Sequence, residues 1–308
     1  MTKRPDIICI GAMLWDIIGR AGRRMGAGHD VPGRVAHIPG GVALNVAVAL
    51  ARWGMRPAIL SAVGRDTQGD ALIAEAQARG VMTDYLTRRA DLPTDCYMAI
   101  EDEAGLVAAV ADAHSLEAAG AAILKPLDDA LAKWTGSVVL DGNLTAALLA
   151  TISTDRRLFG MDLRVVPASP GKADRLLPLI RAGRGCFYLN RIEAEILSER
   201  PCPDAASAAR AVVAMGAPRV IVTDGGEQVA EAMAGAPDLS ALPPSVRIAR
   251  VTGAGDCFLA AHIAAERAGA DRETALTRAT EAAAAHVAGR DMPDKSLAAS
   301  ATPKDDTI

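Results

Sequence analysis

Val251-Thr252-Gly253-Ala254-Gly255-Asp256-Cys257-Phe258 opens a long Ala-rich helical run, and its reading decides the fold. Gly253 and Gly255 let the backbone turn tightly and aim successive N–H groups at one point. The start of the helix adds its own unpaired N–H groups and a partial positive charge, so the turn is a candidate anion hole. An acid in that first turn sits beside any phosphate bound there and beside the hydroxyl that attacks it. Asp256 is therefore a candidate general base for phosphoryl transfer, with Gly253, Ala254 and Gly255 forming the hole. The plainer reading is an ordinary first helical turn in which the dipole favours Asp.

Working outward, four more stretches carry chemistry. Gly40-Gly41-Val42-Ala43-Leu44-Asn45 enters a buried helix, and Asn45 offers donors and an acceptor to hydroxyls. A simple loop-to-helix joint explains it as well. Asp16 follows the first strand, where ligands of open parallel sheets bind, and a carboxylate there can accept two vicinal hydroxyls. Its alternative is a solvated loop acid. Asn190-Arg191-Ile192-Glu193 also follows a strand; Asn190 suits a helix cap, and Glu193 suits a hydrated magnesium ion. Val222-Thr223-Asp224-Gly225-Gly226 ends another strand and reads either as support for a nucleotide or as a hairpin turn.

Short β-branched runs alternate with helical stretches along most of the chain. Ile7–Ile10, Ala58–Val63, Val138–Leu140, Leu158–Met161, Cys186–Leu189 and Arg219–Val222 read as strands. Ala43 to Trp53, Gly69 to Arg79, Ile192–Leu197, Ala205–Met215, Ala254–Ala268 and Arg272–Ala288 read as helices. This alternation predicts an α/β fold with a mostly parallel sheet covered by helices on both faces. Residues 12–38 and 93–112 break the pattern and read as a small β-sheet lid. The main domain then takes 1–11, 39–92 and 113–308. Gly22 to Gly33 reads as a mobile loop, and the polar residues after Arg290 as frayed.

Half of the 308 residues are hydrophobic but only 3% are aromatic, so the core rests on Ala, Val, Leu and Ile. The net charge of −4 comes with no dense basic cluster, which argues against a nucleic-acid polymer as partner. Arg20, Arg23 and Arg24 read as a solvated loop. Five cysteines, an odd number with no C-x-x-C, fit a reduced cytoplasmic setting. No metal-ligand spacing occurs among Cys and His, and no signal peptide or membrane-crossing stretch is read. The first strand lacks G-x-G-x-x-G and the chain lacks a Walker-type G-x-x-x-x-G-K-[ST], which argues against a Rossmann dehydrogenase and a P-loop NTPase.

Taken together, these stretches resemble the ribokinase-like (PfkB) carbohydrate kinase family. Gly40, Gly41, Ala43, Asn45 and Ala47, then Gly54 and Gly64, match its first signature, and Gly253-Ala254-Gly255-Asp256 its second. Asn190 and Glu193 match its N-x-x-E motif, and the similarity runs over about residues 6–290 in the family's order. The resemblance implies a ribokinase-like three-layer sandwich with a β-sheet lid, ATP with Mg2+ as cosubstrate, and a homodimer formed through the lid. It implies Asp256 as the base and Gly253, Ala254 and Gly255 as the anion hole. Asp16, Gly40, Gly41 and Asn45 would bind the sugar. Asn190, Thr223, Gly225, Gly226 and Thr252 would bind ATP, and Glu193 would hold Mg2+ through water.

Pro93-Thr94, Tyr97-Met98-Ala99-Ile100, Asp141-Gly142-Asn143, Asn190 to Glu195 and Val251-Thr252-Gly253 are similar to the family's pseudouridine kinases. The implied reaction is phosphorylation of the nucleoside 5′-hydroxyl, with Thr94, Tyr97, Asp112 and Asn143 reading the base. His114 joins them or faces solvent. The alternatives are a kinase for ribose, another nucleoside or a modified sugar, and a ligand-binding relative without catalysis. Pro167-Ala168-Ser169 with Lys172 is a weaker match, and Val166, Leu44 and Arg250 depart from the family pattern. Arg250 stands where an acid or Asn helps to hold a monovalent cation in relatives, so cation dependence stays open.

Overall fold

The computed structural model describes residues 4–290; the tail for which the sequence predicts fraying lies outside the described residues. β1 (Ile7–Ile10) is an unbroken apolar run buried at every position, as a central parallel strand requires. The chain then builds a hairpin from β2 (Leu14–Ala21) and β3 (Gly33–Gly40) around the Gly- and Arg-rich loop. α1 (Val42–Arg52) returns to the main body, followed by β4 (Pro57–Leu60), β5 (Ala62–Gly64), α2 (Thr67–Ala78) and β6 (Thr87–Arg89). β7 (Cys96–Asp102) and β8 (Gly105–Asp112) complete a four-stranded sheet in the order β3-β2-β7-β8.

From α3 (His114–Ala119) onward the main body is continuous. β9 (Ser137–Asp141), α4 (Ala146–Thr154), β10 (Asp162–Val166), α5 (Leu177–Arg181) and β11 (Cys186–Asn190) come first. α6 (Arg191–Ser198), α7 (Ala205–Ala214), β12 (Arg219–Thr223), β13 (Val229–Met233), β14 (Leu239–Ala241), α8 (Ala254–Arg267) and α9 (Arg272–Val287) follow.

The main sheet has eight strands in the order β14-β13-β12-β11-β10-β9-β1-β4. All pairings from β4 to β12 are parallel, and β13 and β14 close the edge antiparallel. Strand alternation feeds two apolar layers. Ile8, Ile10, Val138, Leu140, Phe187 and Leu189 pack towards one set of helices, and Ile7, Cys9, Val139, Tyr188 and Ile221 towards α1, α8 and α9. The result is a three-layer sandwich with a separate small sheet, as the alternation predicts. After β1 the chain adds β4 on one side, and every later strand of the sheet lies on the other. The order therefore reverses between β1 and β9, and ligands bind at such a switch point, outside the carboxyl ends of the strands.

Two local readings need correction. The strand expected at Leu158–Met161 lies at Asp162–Val166, because Asp155 caps a short 3-10 turn over 156–158. Arg164 masked the strand: it is buried in a sheet position, paired to Asp162 and Glu266. The run at Ala58–Val63 is broken at Ser61, after which β5 leaves the main sheet to pair with β6. Leu14–Ala21 falls within the small β-sheet expected over 12–38 and is a full strand of it.

A buried polar network fixes the far end of α8. Tyr188 Oη lies 2.9 Å from His262 Nδ1 and accepts from Arg164 at 2.9 Å. Arg219 donates to Glu231 and Glu266, and Arg272 donates to Glu231. Burial pushes the His262 imidazole down to about 4, so it stays neutral in this network. α8 is thereby pinned two turns beyond the residues at its N-terminus.

Candidate active site

α8 starts on Gly253, whose φ of 82° is left-handed and disfavoured for a residue with a side chain. That turn points the first amides of the helix outward. Ala254 N donates to Val251 O at 3.1 Å, whereas the amides of Gly255 and Asp256 find no acceptor among the described residues. Thr252 contributes its carbonyl to a 2.9 Å contact with His286 Nε2, which braces the loop. Asp256 follows in the first turn, partly buried, with the Asn45 side chain near its carboxyl. Desolvation pushes it up to about 7; the Asn45 amide opposes the rise and Asp141 adds to it.

Asn45 lies in the first turn of α1, capped by Gly41. Asp16 sits on β2, and burial raises its carboxyl to about 6. It occupies space that Gly40 leaves open, since a Cβ at that position would run into the Asp16 carboxyl. Register pairs Asp16 with Tyr97 across β2 and β7, so the two side chains leave the small sheet on the same face. Asp16, Gly40, Gly41, Asn45 and Asp256 thus converge from β2, β3, α1 and α8.

The residues expected to read the base divide. Asn143 is buried beyond β9, and its Oδ1 accepts from Lys172 Nζ at 2.8 Å. Burial and Arg175 lower the Lys172 ammonium from its ordinary value. The Thr94 hydroxyl is occupied by the Asp66 carboxylate at 2.6 Å, where it ties the start of β7 to the cap of α2. Asp112 is a correction: it pairs with Cys96, one residue out of phase with Tyr97, and so lies on the opposite face of the small sheet from Asp16. Its carboxylate is held by the exposed His114 at 2.6 Å.

On the other side of the switch point, β11 and β12 end side by side, with Asn190 opposite Thr223. Asn190 and Glu193 form a closed capping box: Asn190 Oδ1 accepts from Glu193 N at 2.9 Å, and Glu193 Oε2 accepts from Asn190 N at 2.8 Å. Thr223 lies half-buried and donates to Leu189 O at 3.4 Å. Gly225 and Gly226 form the open turn between β12 and β13, and Arg191 bridges to Asp224 at 2.8 Å. No cluster of three His, Cys, Asp or Glu able to hold a metal occurs among the described residues. One buried carboxylate, Glu193, suits an ion that keeps most of its water and takes its other ligands from phosphate.

Two residues outside the set proposed from sequence stand out. Lys172 was visible only as part of a weak motif. Asp141 stands in a matched stretch without an implied role, yet it is 0% exposed and accepts three backbone amides. An acid ending an apolar strand is the signal that marks it.

The profile of the pfkB family carbohydrate kinases matches residues 4–292. Pseudouridine kinase of Escherichia coli K12 is 26% identical over 264 residues, covering 84% of this chain and 83% of that protein. Among solved structures, a carbohydrate kinase from Agrobacterium tumefaciens superposes with a TM-score of 0.78 at 26% identity, covering 91% of this chain and 90% of that one. Arabidopsis thaliana ribokinase complexed with ribose and ATP shares the fold with a TM-score of 0.77 at 20% identity, over 96% and 98% of the two chains. No helix among the described residues is long and apolar enough to cross a membrane.

Proposed function

We propose that this chain, which belongs to the pfkB family of carbohydrate kinases, phosphorylates the 5′-hydroxyl of pseudouridine to give pseudouridine 5′-phosphate and ADP. Family membership makes it an ATP-dependent phosphotransferase acting on a hydroxyl of a sugar or nucleoside. The observation that carries the reading is Asp256, an acid raised to about 7 in the first turn of an open helix N-terminus, near the Asn45 side chain. A base with that affinity is half-ionised at neutral pH and can take the proton of the attacking hydroxyl. As the acceptor oxygen bonds to the γ-phosphorus, the bond to the bridging oxygen breaks and the ADP oxygen carries off the electron pair. The amides of Gly255 and Asp256 face the charge that gathers on the transferring group.

Asp16 would hold the ribose hydroxyls, with Gly40, Gly41 and Asn45 shaping that side. Tyr97 stands beside Asp16, and Asn143 with Lys172 offers donors to the carbonyls of a base. A pocket built around such groups rejects a bare sugar because its own donors would be left unpaired. Asn190, Thr223, Gly225, Gly226 and Thr252 would support ATP, with Glu193 holding hydrated Mg2+. When bound, Mg2+ neutralises phosphate charge. Similarity to pseudouridine kinase over most of both chains favours this acceptor. Assaying ADP release with pseudouridine, uridine, adenosine, ribose and fructose 6-phosphate tests it. Pseudouridine should give the highest kcat/KM; turnover of ribose with none of pseudouridine refutes the acceptor and leaves the kinase class intact.

The small sheet presents Val35 (67% exposed), Met98, Ile100 and Val110 (68% exposed) on the face away from Asp16. We propose that a second copy covers this face as a homodimer. Light scattering should give twice the chain mass for the wild type and a monomer for Val110→Asp. A monomeric wild type at micromolar concentration sinks the dimer. The five unpaired cysteines support a reducing, cytoplasmic setting.

A further inference from the structure

Asp141 closes β9 at the switch point, and its carboxylate is sealed from solvent. Oδ2 accepts the amides of Ala12 at 2.8 Å and Ala43 at 2.9 Å, and Oδ1 accepts the amide of Asn143 at 2.6 Å. These three amides belong to three separate pieces of chain. Ala12 lies in the link from β1 to β2, four residues before Asp16. Ala43 lies in the first turn of α1, two residues before Asn45. Asn143 is itself the group bonded to Lys172. The approach is so close that a Cβ at Gly11 would collide with the carboxyl, so Gly11 cannot carry a side chain without moving it.

We infer that Asp141 is a positioning residue that sets Asp16, Asn45 and Asn143 relative to one another through the three backbone amides it gathers. A carboxylate is suited to this task because it accepts at both oxygens and donates at neither. The α1 amide also brings the positive end of that helix against the buried charge. No neutral side chain of the same size can reproduce the pattern. An Asn at 141 turns its NH2 group towards either the Ala12 and Ala43 amides or the Asn143 amide, so donors face donors. Burial raises the Asp141 carboxyl while its three amide donors oppose the rise, and in its ionised form its charge raises the affinity of Asp256 for a proton.

The inference rests on phosphoryl transfer by this fold and not on the acceptor's identity. The test therefore uses whichever acceptor the ADP-release screen selects. Asp141→Asn should lower kcat/KM for the acceptor by about tenfold or more, the scale of a lost hydrogen bond to a charged group. KM for ATP should change less than about twofold, because β11 and β12 are untouched. The acid limb of the rate profile should move to lower pH, since Asp256 loses a like-charged neighbour. Equal losses for ATP and acceptor in a folded variant, with the acid limb unmoved, overturn the inference.

If Asp141→Asn does not fold, amide exchange of the wild type decides. The amides of Ala12, Ala43 and Asn143 should be protected like those of the strand core. Rapid exchange at Ala12 and Ala43 overturns the inference.

Discussion

Asp256→Asn lowers turnover by about 10²–10⁴-fold, the range for removal of a positioned general base, while KM for ATP stays near its wild-type value. The split follows from the site. In the proposed mechanism the carboxyl would meet the acceptor oxygen, whereas the phosphates would meet backbone amides that the substitution leaves in place. Before substitution the base titrates at about 7, so wild-type kcat/KM should rise with pH up to that point and level off above it. The same group has a stability signature of fixed sign. An unfolded Asp titrates near ~3.9, so the folded group is raised. Its stabilising contribution is complete below the unfolded value and is lost as pH rises through about 7. Asp256→Asn should therefore melt at a higher temperature than the wild type at pH 8, with the gap closing at pH 4. A variant that keeps near-normal turnover, or that melts lower than the wild type at pH 8, contradicts the role assigned to this carboxyl.

Asp16→Ala strikes the other substrate. A carboxylate holding two vicinal hydroxyls makes two charge-assisted hydrogen bonds, each about 1.5–3 kcal/mol. Their loss should cut kcat/KM for the acceptor by roughly 10²-fold or more and leave KM for ATP nearly unchanged. An acceptor lacking one of the two hydroxyls distinguishes this from general damage. The wild type should discriminate strongly against the deoxy acceptor, and Asp16→Ala hardly at all. Equal discrimination by both proteins means that Asp16 does not touch the diol.

The architecture was legible because each level of the sequence agreed with the next. β1, α1 and the Ala-rich α8 and α9 have apolar patterns that only a covered parallel sheet accommodates. The misread strand at β10 has a physical cause: Asp162 and Arg164 look like loop residues until Arg164 is seen to reach Tyr188 on β11 and Glu266 on α8, with Asp162 bonded to Arg164 and to Ser137 on β9. The convergence of Asp16, Asn45 and Asp256 was readable from glycine turns and strand ends. The division among the proposed base-reading residues was not. Whether Tyr97 or Asp112 faces the cleft depends on which residue of β7 lies opposite Asp16, and a shift by one residue exchanges the faces. Asp141 is marked in sequence only as an acid ending an apolar strand; its role is hidden because its partners are backbone amides from distant pieces of chain.

The contact between Asn45 and Asp256 also has a consequence in time. More than two hundred residues separate them. At a synthesis rate of roughly 5–20 residues per second, the ribosome delivers Asp16 and Asn45 about 10–40 s before the turn that carries Asp256. A nascent or truncated chain ending before α8 would carry Asp16 and Asn45 without a proton acceptor. Under the proposed mechanism, synthesis of α8 is the step that completes the site.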